Sequence, residues 1–116
     1  MRYHGACHCG RNKFEAEGEI DRVIECNCSH CSIKGYLLWF VPKDKFQLTT
    51  PEDGLAVYTF NKHVIKHYFC KTCGSAPFGF GVSPKGGEPV AAINVRCIEG
   101  LDLNTLNRVP FDGRSL

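Results

Sequence analysis

Leu55-Ala56-Val57-Tyr58-Thr59-Phe60-Asn61-Lys62-His63-Val64-Ile65-Lys66-His67-Tyr68-Phe69, followed at once by Cys70-Lys71-Thr72-Cys73-Gly74, decides the fold. Two runs rich in β-branched and aromatic residues flank Asn61-Lys62, the pattern of an antiparallel hairpin. The hairpin runs into a Cys-x-x-Cys-Gly turn. Glycine after the second cysteine accepts positive φ, so the backbone can curl round a metal and aim N–H groups at the sulfurs. Cys7-His8-Cys9-Gly10 ends the same way. Two such knuckles make a closed four-thiolate zinc site, which adds folding free energy outright. A full sulfur shell leaves the metal no open position, so the role expected for Cys7, Cys9, Cys70 and Cys73 is structural.

A third cluster, Cys26-Asn27-Cys28-Ser29-His30-Cys31, is built differently. No glycine follows Cys31, and there are three thiols instead of four. Three thiolates on one turn grip one face of a zinc ion and leave a position for water, a substrate or a distant side chain. The side chains available for that position are Cys97, His63, His67 and His30. Spacing leaves open whether this second site is closed or reactive. It also leaves open the pairing of the clusters, since Cys7 and Cys9 can in principle share a metal with Cys26 and Cys28.

Outward from the hairpin, turn signals recur at Gly5, Gly10, Gly18, Gly35, Pro42, Pro51 to Gly54, and Ser83 to Gly87, with short β-type runs between them. Strands are expected at 11–17, 22–26, 36–41, 46–49, 55–60, 64–69, 77–82 and 90–96. Helix is limited to a turn or two at 29–33 and 103–106, with Asn27 or Ser29 as the cap of the first. No segment sustains a helical apolar period over three turns. The fold class is therefore mainly β, with very little helix.

The chain has 116 residues, 43% of them hydrophobic and 22% charged, the balance of one globular domain spanning 1–116. A formal charge of +2 gives no electrostatic case for nucleic acid or an anionic membrane. The longest apolar run, Tyr36 to Val41, is far too short to span a bilayer. Met1 to Gly5 lacks the apolar core of a signal peptide, so a cytoplasmic location with reduced thiols is expected. That favours chelation over a set of four disulfides, as does Cys-x-Cys spacing, which rarely closes a relaxed disulfide.

Several other residues have an ordinary role as the first expectation. Cys97 reads as a buried free thiol acting as a small hydrophobe. His63 and His67 read as exposed polar residues. Phe40, Phe78 and Phe80 read as core, whereas Trp39 is a candidate pocket wall beside the open metal position. Lys34, Arg96 and Arg108 read first as ordinary solvated charges, with a role as partners for substrate carboxylates as the alternative.

Gly5-Ala6-Cys7-His8-Cys9-Gly10, Cys26-Asn27-Cys28-Ser29-His30-Cys31 and Phe69-Cys70-Lys71-Thr72-Cys73-Gly74 together resemble the signature of the glutathione-dependent formaldehyde-activating enzyme family, which includes the centromere protein V group. Lys43-Asp44-Lys45-Phe46, Tyr58-Thr59-Phe60-Asn61 and Ala92-Ile93-Asn94-Val95-Arg96 stand at similar places in that family, so the resemblance covers about the whole chain. It implies a β-tent (Mss-like) zinc-binding fold of several small twisted antiparallel sheets, shared with certain zinc-binding Rab exchange factors. It implies a structural zinc on Cys7, Cys9, Cys70 and Cys73, and a second, labile zinc on the catalytic set Cys26, Cys28 and Cys31. Glutathione is the implied co-substrate, with Lys34, Trp39 and Arg96 as candidate contacts. The implied activity is that of a carbon–sulfur lyase, forming or cleaving S-hydroxymethylglutathione from a thiol and a small aldehyde. The alternative is a zinc scaffold, or a thiol- and metal-responsive module, of the same fold. Many relatives carry a basic residue where Ser32 stands, and Lys34 is the candidate replacement. Little sequence follows Leu101, so contacts from a longer C-terminal segment are not expected.

Overall fold

Alternation of apolar and polar residues, with a period of two, governs most of the chain, and the strands follow it. The structure, a computed structural model, describes residues 1–60, 64–83 and 86–115. The turn expected at Asn61-Lys62, and His63 beside it, lie outside the described residues. The strands are β1 (Arg2–Ala6), β2 (Lys13–Glu17), β3 (Val23–Cys26), β4 (Leu38–Pro42), β5 (Phe46–Leu48), β6 (Leu55–Tyr58), β7 (Lys66–Cys70), β8 (Phe78–Val82), β9 (Pro89–Asn94) and β10 (Arg108–Phe111). One helix, α1 (Ser29–Lys34), lies where the sequence predicts it, and the second expected helical turn is a 3-10 turn at Leu103–Thr105.

The strands form a three-stranded sheet, β1-β2-β5, and a seven-stranded sheet, β10-β3-β4-β9-β8-β7-β6. The mainly β, zinc-ready architecture expected from the sequence is the one found. Strand pairing is antiparallel except between β3 and β10, which run parallel. Two strands were not expected. β1 lacks β-branched residues, and its pairing with β2 is reinforced by Arg2, whose guanidinium lies 3.0 Å from the Glu15 carboxylate. β10 contains Pro110, which argues against a strand, but an edge position tolerates a residue with no N–H to donate.

Parity sorts the side chains of the large sheet into two sets. Val23, Trp39, Val41, Phe78, Ala91 and Ile93 join the main core with Phe14 and Ala16 of the small sheet. Their neighbours of opposite parity, Ile24, Cys26, Leu38, Phe69 and Ala92, join a second, smaller core around Cys31, Tyr36 and Ala76. The large sheet thus carries a hydrocarbon core on one face and the Cys26–Cys31 cluster on the other. The expectations for Trp39 and Phe40 are reversed by this parity: Trp39 is 5% exposed in the main core and Phe40 is 49% exposed.

Close packing within the small sheet and against the 3-10 turn Val95–Cys97 fixes Gly5. A Cβ there would strike the ring of Phe14 and come within 2.9 Å of the Cys97 carbonyl oxygen. Gly5→Ala is expected to destabilise the protein by ~1–3 kcal/mol in chemical denaturation, the usual cost of overpacking. A loss below about 0.5 kcal/mol, the ordinary range of a harmless surface change, would contradict that packing.

Candidate metal centres and the groove beside them

Two loops that leave the ends of strands build the first cluster. Cys7 follows β1, and Cys70 is the last residue of β7. Each knuckle closes on a glycine: the Gly10 N–H donates to the Cys7 carbonyl at 3.0 Å, and the Gly74 N–H donates to the Cys70 carbonyl at 3.0 Å. Both glycines have φ of +80°, the left-handed geometry that their place after the second cysteine predicts. The sulfurs of Cys7, Cys9, Cys70 and Cys73 lie within 4.8 Å of one another. Cys7 and Cys70 therefore share one centre, and Cys7 and Cys9 do not join Cys26 and Cys28.

The chemistry of this donor set fits zinc. Sγ of Cys9 is 3.6 Å from Sγ of Cys7 and 3.6 Å from Sγ of Cys70. A tetrahedral shell with Zn–S near 2.3 Å has edges of about 3.8 Å, whereas a disulfide needs about 2.05 Å. Backbone donors already face the sulfurs: Asn12 N–H reaches Cys7 Sγ at 3.4 Å, and Thr72 and Cys73 N–H reach Cys70 Sγ at 3.3 and 3.4 Å. Asn12, 1% exposed, adds its side-chain amide at 3.6 Å and also donates to the Gly54 carbonyl. Nothing in the spacing of the cysteines singles out Asn12 in advance.

Charge in the cluster is unevenly shared. Burial resists ionisation of Cys7, yet the Asn12 N–H and the neighbouring thiols hold it below the ordinary value. The Ser75 hydroxyl leads the interactions that bring Cys73 down to about 5. The Arg11 N–H favours the Cys9 thiolate, but desolvation and the other three sulfurs prevail and push it up to about 11. One thiolate forms at the expense of another, and a bound dication removes that conflict.

The second cluster joins the end of β3 to the first turn of α1. The sulfurs of Cys26, Cys28 and Cys31 lie within 4.8 Å of one another, and among the described residues no fourth His, Cys, Asp or Glu joins them. Cys28 is itself the N-cap of α1, its sulfur accepting the Cys31 N–H at 3.3 Å. The cap is therefore neither Asn27 nor Ser29. Gly35, at φ +70°, ends the helix. Burial comes first among the causes that push the Cys31 thiol up, followed by the other sulfurs. Burial also opposes ionisation of Cys28, but the Cys31 N–H and the neighbouring thiols prevail and hold it low. This set again fits a soft dication, with one position that no described residue fills.

A groove of about 540 Å³ is lined by residues that neighbour both clusters in sequence, though by none of their cysteines. That is within the range of roughly 300–1,000 Å³ usual for small-molecule sites. His8 and Ser75 of the first cluster's loops line one part, and Lys34 and Tyr36, just after Cys31, line another. Arg96 lies in the same wall, its Nε donating to the Gly35 carbonyl at 3.0 Å. Lys34 and Arg96 thus line the same groove. Trp39 is not with them: it stands edge-on to Tyr3, with ring centroids 5.4 Å apart, in the main core. Arg108 faces Glu25 at 3.9 Å instead. Cys97 belongs to neither cluster. It is half-buried, packs on the main core and lines the groove, and burial leads the causes that push its thiol up to about 11.

His67, expected as an exposed polar residue, is half-buried with its ring 4.2 Å from that of His30. Tyr36, Tyr58 and Phe60 complete the aromatic surround. Among the described residues, the His30 Nδ1 and His67 Nε2 atoms are buried without a hydrogen-bond partner.

The family model for "Glutathione-dependent formaldehyde-activating enzyme" matches residues 2–106. The chain belongs to that family. It is also similar to a solved structure, the crystal structure of a Rhodobacter sphaeroides protein, at 28% sequence identity and a TM-score of 0.80, covering 92% of this chain and 97% of that one. Family membership supports a glutathione-dependent, formaldehyde-activating function in general. None of the described helices is long and apolar enough to cross a membrane.

Burial, then the nearby charges of His30 and Lys34, lowers His67 from 6.5 to about 4. The unfolded chain takes up a proton that the folded His67 refuses, so this residue makes the fold less stable as pH falls from 6.5 towards 4. The His67 ring C–H resonances are expected to hold steady between about pH 7.5 and 5.5. A titration centred on the ordinary histidine value would contradict its desolvation.

Proposed function

We propose that this protein is a zinc-dependent carbon–sulfur lyase that makes and cleaves S-hydroxymethylglutathione, or the glutathione adduct of a related small aldehyde. The observation that carries the reading is the three-thiol set Cys26, Cys28 and Cys31, with no fourth protein ligand among the described residues, beside a groove bearing two cations. Cys7, Cys9, Cys70 and Cys73 hold a structural zinc in this reading, and the three-thiol set holds a second, labile one. A zinc ion there lowers the pKa of a thiol that reaches it and polarises an aldehyde oxygen.

The chain's own part is binding and orientation. Lys34 and Arg96 meet the two glutathione carboxylates, and Glu99 on the same groove faces the ammonium. Arg96 is held by the Gly35 carbonyl, which steadies its position at the C-terminal end of α1. Holding thiol and aldehyde side by side removes the entropic cost of their encounter. In the forward direction the sulfur–carbon bond forms, the carbonyl π bond opens, and the thiol proton ends on the new hydroxyl oxygen. The reverse step returns that proton to sulfur.

The test is the rate at which formaldehyde and glutathione equilibrate, followed by exchange NMR. The protein is expected to accelerate it, and Cys28→Ser to abolish the acceleration while the fold persists, because a serine hydroxyl caps a helix as well. An unchanged rate with the unmutated protein rejects the reading. Lys34→Ala is expected to raise the half-saturating glutathione concentration about tenfold, the value of one charge-assisted hydrogen bond. An unchanged half-saturation would remove Lys34 from the site.

A further inference from the structure

Residues 107–115 lie beyond the stretch that the family model matches, yet they form a wall of the three-thiol cluster. Pairing of β10 with β3 sets Phe111 opposite Cys26, and the Asn27 N–H donates to the Phe111 carbonyl at 3.1 Å. Asn27, standing between Cys26 and Cys28, is then locked twice more. Its Nδ2 donates to Asp112 Oδ1 at 2.9 Å, and its Oδ1 accepts the Arg114 N–H at 2.9 Å. Ser115 Oγ steadies Asp112 by donating to Oδ2 at 2.6 Å.

Gly113 sits at the point of contact. A Cβ there would lie 2.5 Å from Cys26 Sγ and 3.3 Å from Cys28 Cβ. Its backbone is not among the left-handed glycines, so the requirement for glycine is one of space. Cys28 and Cys31 are fixed to each other by α1, whereas Cys26 belongs to β3. The Cys28 N–H reaches Cys26 Sγ at 3.5 Å, and the tail adds a second tie through Asn27, which stands between these two cysteines.

We propose that residues 107–115 are a clamp on the three-thiol cluster, with Asp112 as its positioning residue and Gly113 as its contact, and that the clamp sets how readily Cys26 leaves the cluster. The proposal rests on the reading of Cys26, Cys28 and Cys31 as one ligand set. A set of three ligands has no spare, so its hold on a metal depends on the least tethered of them.

The test is pulsed alkylation of the protein as isolated, with iodoacetamide, read cysteine by cysteine by peptide mass spectrometry. Cys9, exposed in the other cluster, is the internal standard. Asp112→Ala is expected to speed modification of Cys26 about tenfold while Cys9 stays within about twofold, the opening expected when a hydrogen bond to a carboxylate is lost. Asp112→Asn keeps an acceptor for Asn27 and is expected to fall back towards the unmutated rate. Gly113→Ala, which removes none of the hydrogen-bonding groups, is expected to speed Cys26 by displacing the contact. Equal Cys26 rates in the unmutated, Asp112→Ala and Gly113→Ala proteins would overturn the clamp. So would Cys9 accelerating in step with Cys26, which signals general loosening. A chain with no effect on formaldehyde and glutathione would sink the lyase reading and leave the Cys26-to-Cys9 ratio to decide the clamp.

Discussion

Four sulfur atoms from two turns that stand 61 residues apart in sequence meet at one point, and the rest of the structure depends on that meeting. It fixes the end of β1 against the end of β7, and so the small sheet against the large one. Closing a loop of that length costs about 4 kcal/mol of chain entropy on the scale used for disulfides. Structural zinc on cysteine ligands returns about 10–16 kcal/mol near neutral pH, so in the proposed reading the metal outweighs the closure. The total stability of a domain is only about 5–15 kcal/mol, which makes such a link a large share of it.

The large sheet divides two tasks between its faces. The face that joins Phe14, Trp39 and Ile93 supplies hydrocarbon burial. The opposite face carries α1, the three thiols and Tyr36 on a smaller apolar patch. In the proposed reading, a ligand set on that second face can be loose without weakening the main core. Tyr36 and Ala76 share the smaller core with Cys31 and also line the groove, which joins the groove wall to that end of the three-thiol cluster.

Much of this was legible in the sequence, because the signals were local. Glycine after Cys9 and Cys73 announces positive φ, and both glycines have it. Alternating apolar runs announce strands. What was not legible depends on contacts between distant segments. β10 holds a proline and few β-formers, and pairing with β3 makes it a strand. Asn27 looked like a helix cap, but its partners are Asp112 and the Arg114 N–H, at separations of 85 and 87 residues. Trp39 and Phe40 are adjacent in sequence, and which of them faces the core depends on register with β9, where Trp39 pairs with Ile93. His67 looked exposed because nothing nearby in sequence says that His30 and Tyr36 will cover it.

The most direct test is stepwise chelation, with zinc per chain and near-ultraviolet circular dichroism recorded on the same sample. The account predicts two ions per chain. The first should leave with the tertiary signal intact, and the second only with its collapse, because the four-sulfur link holds the sheets together. A chain stripped of all zinc that keeps its tertiary signal and melting temperature would contradict it.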